Sequence, residues 1–146
     1  MRVSLVVFAA CLSLIADLAS ARAEVAIGFA NPLSGPYAAT GGRNLLAMMA
    51  AVSDLNAEGG VLGEPVRLVV VDDRCGVEDA VKAAEKLVRA GVAMVVGHMC
   101  SHSSLMAAAI YDLADVVMIT PYSTHPRLTE EGRPNVFRLI GRDDRQ

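Results

Sequence analysis

Apolar and polar positions fall into blocks along this chain, and the blocks keep two different rhythms. Residues 25–29 are continuously apolar, as are residues 92–96, and residues 66–71 are interrupted only by Arg67. Runs this short and unbroken predict strands covered on both faces. Residues 116–120 and 136–140 predict a fourth and a fifth. Between the runs the spacing changes. In residues 44–56 the apolar positions are Leu45, Met48, Met49, Val52 and Leu55, the three-and-four rhythm of a helix. Val81, Ala84, Leu87 and Val88 predict a second helix over residues 78–90, and residues 103–114 a third. Gly59, Gly60 and Gly91 follow the first two as stops.

Strand alternating with helix implies parallel pairing through right-handed crossovers. The expected fold class is therefore α/β, a parallel sheet with helices on both faces. Such a sheet binds ligands outside the carboxyl ends of its strands. Three loops are expected at that edge: residues 31–42, 97–104 and 121–128. They are rich in Ser, Thr, Gly and Tyr and poor in charge.

The first 23 residues have a different character. Arg2 is followed by an apolar stretch to Ala16, then Asp17, and the segment ends in Ala21, Arg22 and Ala23. This is the order of a cleaved secretory signal peptide. The apolar part is too short to cross a hydrocarbon layer of about 30 Å comfortably. Export leaves residues 24–146 as the folded part. Losing Arg2, Arg22 and Asp17 makes a net charge of −3 one unit more negative, so nucleic acid is not an expected partner. Cys11 departs with the signal. Cys75 and Cys100 remain, and an even count in an exported chain favours a disulfide.

GHMCSHSS, residues 97–104, concentrates the candidate chemistry. His98, Cys100 and His102 alternate as metal ligands on a strand would, but the stretch leaves a strand and opens a helix, so the alternation is lost. No metal or other cofactor is expected, and the two histidines are expected at the surface. There is no G-x-S-x-G elbow for a nucleophile and no glycine-rich phosphate loop after the first strand. The chain is not expected to be an enzyme. A helix start offers free N–H groups and about half a positive charge to an anion. The serines at residues 101, 103 and 104 suit either that task or simple capping of their own helix.

Several pieces in fixed order resemble the periplasmic leucine/isoleucine/valine-binding proteins. They are NPLSGP (residues 31–36), DLNAEGGVLG (54–63), DDRC (72–75), VGHMCS (96–101) and MITP (118–121). The resemblance implies the type I periplasmic-binding-protein lobe, an incomplete first lobe of a two-lobed fold, with residues 24–146 its N-terminal part and the second lobe absent. It implies a monomer that captures a branched-chain amino acid, or a related small amino acid or amide, for an ABC importer and delivers it to a membrane permease. A ligand-sensing receptor of the same fold, or a non-functional fragment, are the alternatives. It implies that Cys75 and Cys100 pair. It implies that Ser101 and Thr124 donate to the ligand's carboxylate, that the Tyr122 carbonyl accepts from its ammonium, and that Ser123 lies in the same segment. Thr40 stands where leucine-type members have an aromatic residue, and Tyr122 where they have a small one. Both changes touch the side-chain pocket, so another small amino acid or amide fits the resemblance as well.

Overall fold

The computed structural model describes residues 24–145, so the proposed signal peptide lies outside the described residues. The five strands are β1 (Val25–Asn31), β2 (Val66–Asp72), β3 (Met94–Gly97), β4 (Val117–Thr120) and β5 (Val136–Arg138). They form one parallel sheet in the order β2-β1-β3-β4-β5. The helices are α1 (Ala38–Ala57), α2 (Val77–Arg89), α3 (Ser101–Leu113) and the single turn α4 (Arg127–Glu130), with a closing 3-10 turn at Asp143–Arg145.

The two faces of the sheet are covered unequally. On one face Ala26, Ala30, Val95, Met118 and Val136 pack against Ala84 and Leu87 of α2 and Ala107, Ala108 and Tyr111 of α3. Small residues at the crossing let α2 and α3 sit close to the strands and to each other. Helix α2 also carries Glu78 and Asp79 in its first turn and Lys86 and Arg89 in its last, which matches its dipole. On the other face α1 lies over β1 and β2, with Val52 and Met48 against Ile27, Val66 and Leu68. Beyond α1 that face is thinly covered: Val96 and Ile119 are half-buried and Phe137 is 49% exposed. The fold is thus α/β with helices on both faces.

Boundaries differ from the sequence expectation by one to six residues, and three of the differences matter most. Helix α1 starts at Ala38, six residues early, because Gly41 does not break it. A side chain at Gly41 would strike the Pro32 carbonyl, so the glycine lets the helix start rest on the first loop. Helix α3 starts at Ser101 rather than residue 103. Strand β5 stops at Arg138, and Leu139 and Ile140 are exposed.

Candidate functional site

The carboxyl ends of β1, β3 and β4 meet at one edge, at Asn31, Gly97 and Thr120. Gly97 has φ +145°, and a Cβ there would collide with the Ala30 carbonyl, so only glycine allows this exit from the sheet. Helix α3 begins at Ser101. Its N-cap, Cys100, has extended backbone and gives the helix no side-chain hydrogen bond. The opening N–H groups have no acceptor within the helix and face the edge with the positive end of its dipole. The Cys75–Cys100 disulfide, Cα atoms 5.5 Å apart, ties this helix start to the segment after β2.

A polar network lies directly beneath. Asp73, His98 and Tyr111 are all 0% exposed. The Asp73 carboxylate is 2.6 Å from His98 Nδ1, and the Tyr111 hydroxyl is 3.1 Å from Nε2. A carboxylate only accepts, so Nδ1 carries a proton toward Asp73, and Nε2 pairs with the phenol. Burial, joined by the charge of Asp73, pushes the Tyr111 pKa far up and keeps the phenol a donor. The other Asp73 oxygen accepts the Cys75 N–H at 3.0 Å. His98 is therefore not the surface residue expected from the sequence. Its partners on β2's exit and α3 allow it to be buried.

The backbone carbonyl of His98 gathers the neighbouring loop. The hydroxyl of Thr120 donates to it at 2.8 Å, and those of Ser104 and Ser123, themselves a hydrogen-bonded pair, lie 3.1 and 3.2 Å from it. Thr120 Oγ1 in turn accepts the N–H of Ser123 at 3.1 Å and of Tyr122 at 3.3 Å.

The candidate residues fall into different places on this frame. Ser101, the first residue of α3, is partly exposed, and its hydroxyl accepts the His125 N–H at 3.4 Å, which joins it to the segment carrying Thr124. Thr124 is also partly exposed, and its carbonyl accepts the Asp143 N–H. Ser123 is fully buried with its hydroxyl turned inward, 2.6 Å from that of Ser104. It shapes the loop from within. Tyr122 is 41% exposed, and its hydroxyl donates to Asn44 Oδ1 at 2.9 Å, fastening the ring to α1. Thr40 sits in the first turn of α1 rather than in a loop, its hydroxyl accepting from Arg43. An apolar groove of about 330 Å³ lies between α1 and β3, lined by Phe29, Asn31, Asn44, Met48, Val96 and Tyr122 among others. It includes Tyr122 but not Ser101, Ser123, Thr124 or Thr40.

Asp72, at the end of β2, anchors the first loop: it accepts from the Leu33 N–H, the Ser34 hydroxyl and the Arg74 N–H. Partial burial raises its pKa, but these hydrogen bonds outweigh burial and hold it below the ordinary 3.8. Cys75, Cys100 and His102 have ligand atoms within 4.8 Å of one another, but the two sulfurs are bonded to each other and so are not thiolates. The His102 ring instead donates to the Cys75 carbonyl at 2.7 Å.

A parallel α/β lobe with an uncapped helix start and three strand ends at its carboxyl edge is the architecture of a type I ligand-binding lobe. The chain belongs to the periplasmic binding protein family, which it matches over residues 24–146. It is 44% identical over 127 residues to an amino acid binding protein of Pseudomonas aeruginosa, covering 86% of this chain and 34% of that one. It is 35% identical over 138 residues to the Leu/Ile/Val-binding protein of Escherichia coli, covering 94% and 38%. Among solved structures, the branched-chain amino acid transporter substrate-binding protein LivJ of Streptococcus pneumoniae, in complex with isoleucine, superposes with a TM-score of 0.79 at 30% identity. That match covers 83% of this chain and 35% of the other. The chain thus spans about a third of the length of these relatives.

Proposed function

We propose that this chain supplies part of the first lobe of a periplasmic substrate-binding protein that captures a branched-chain or similarly small amino acid for an ABC importer. Residues 1–23 direct export, residues 24–146 form the lobe segment, and the whole protein hands its ligand to a membrane permease. The protein binds and releases its ligand without chemical turnover. The observation that carries this function is the uncapped start of α3, pinned by the disulfide at the carboxyl edge. The N–H and hydroxyl of Ser101 and of Thr124 donate to the ligand's carboxylate, and the Tyr122 carbonyl accepts from its ammonium. Tyr122 and Thr40 border the space left for the side chain.

Half of a two-lobed site binds weakly. Losing two charge-assisted hydrogen bonds of about 1.5–3 kcal/mol each turns micromolar into roughly millimolar affinity. Titrating the nitrogen-15-labelled chain with L-leucine tests this. Millimolar leucine is expected to shift the amide signals of Ser101, His102, Ser103 and Thr124. Shifts centred elsewhere, or micromolar binding by calorimetry, would refute it.

A further inference from the structure

We propose that Asp73, His98 and Tyr111 form a positioning relay for the carboxylate site, a role that rests on the amino-acid-binding function proposed above. None of the three touches the edge where the ligand docks, since all are fully buried. Yet His98, just past β3, joins the exits of β2 and β4 to the start of α3. Its ring reaches the exit of β2 through Asp73 and the inner face of α3 through Tyr111. Its carbonyl takes the Thr120 hydroxyl at the exit of β4, and the hydrogen-bonded pair of Ser123 and Ser104 hydroxyls joins it to the following loop and to the first turn of α3. Asp73 holds the Cys75 N–H as well, so one end of the disulfide is set by the same chain of bonds.

The physical need is clear. A site made of neutral amides and hydroxyls recognises a carboxylate only while those donors converge on one point, because no single charge does the work. Loops alone drift. A buried histidine satisfied on both ring nitrogens and at its carbonyl has one orientation, since rotating the ring would leave a buried carboxylate and a buried phenol unpartnered. That fixed orientation carries over to Ser101, three residues on, and to Thr124 through Thr120 and Ser123.

The experiment is nuclear magnetic resonance on the labelled chain and two variants. Ring nitrogen spectra should show His98 protonated at Nδ1; a ring bare at Nδ1 overturns the relay. Tyr111→Phe removes one hydroxyl and keeps the ring. Amide exchange at Tyr122 and Ser123 is expected to speed up roughly ten-fold in this variant, with that of α1 unchanged. Leucine affinity should fall about three- to ten-fold. If α1 exchanges faster by the same factor, or leucine affinity stays at the parent value, the relay has no positioning role. His98→Asn keeps a donor for Asp73 and should retain more protection at Tyr122 and Ser123 than His98→Leu; equal loss contradicts the relay. Should leucine bind none of these proteins while the exchange effect stays local, the relay stands as a loop-positioning device and the proposed ligand fails.

Discussion

Replacing both Cys75 and Cys100 by serine removes the staple between β2's exit and the start of α3. The two residues are 25 apart in sequence, and on the chain-entropy account closing a loop of that length stabilises the fold by about 3.5 kcal/mol. Their Cα separation of 5.5 Å lies in the ordinary range for disulfides, so geometry imposes no large penalty on the bond. One opposing effect comes from the backbone. Arg74 and Cys75 have φ of 51° and 56°, left-handed values that cost a non-glycine residue about 1–2 kcal/mol. Asp72 and Asp73 still hold these two N–H groups after the bond is gone, so little of that strain is released. The net loss is then about 2–3.5 kcal/mol. With unfolding entropy near 2.1 cal/mol/K per residue, a lobe of this size should melt roughly 8–14 °C lower. Thermal unfolding of the oxidised chain and the double-serine variant, followed by circular dichroism, measures the difference. A drop of under 3 °C would show that the loop is held by its hydrogen bonds and that the disulfide constrains little.

Ser101→Ala should weaken leucine binding by about 1.5–3 kcal/mol, the range for a hydrogen bond to a charged group, as read from amide-shift titration; an unchanged dissociation constant removes its hydroxyl from the site. Leu87→Ala empties a fully buried position between α2 and the sheet and should cost about 2–5 kcal/mol in denaturant unfolding; a loss below 1 kcal/mol would mean that the helix collapses to fill the space. Asp72 has a lowered pKa in the folded chain, so its contribution is present in full above its unfolded value of 3.8 and fades as pH falls through the lower folded value. Melting temperatures measured from pH 6 down to pH 2 should therefore fall less steeply in Asp72→Asn than in the parent; parallel curves would contradict the assignment.

The strands and the interiors of the helices were legible because burial on both faces of a parallel sheet demands continuous apolar runs, and one-sided burial demands helical spacing. Ile27, Val95 and Met118 announce themselves that way, as do Ala84 and Leu87. The start of α1 was not legible, since Gly41 reads as a helix breaker until the Pro32 carbonyl beside it is known. The burial of His98 is hidden in the sequence for a related reason. A lone polar residue after a strand looks exposed unless its partners are visible, and these lie 25 residues before it and 13 after. The clue available was chemical: an aspartate just past β2, a histidine just past β3, and a tyrosine on the inner face of the following helix. Ser123 could not be told from Ser101 by sequence, because whether a hydroxyl faces the ligand or the loop interior depends on the carbonyl of His98, on another segment.

The central claim is that neutral amides and hydroxyls at the start of α3 take a carboxylate. Titrating the chain with L-leucinamide beside L-leucine isolates that group, since the two ligands share the ammonium and the side chain. Leucinamide is predicted to leave the Ser101, His102 and Ser103 amide signals in place at concentrations where leucine moves them. Equal shifts from both ligands would contradict the claim.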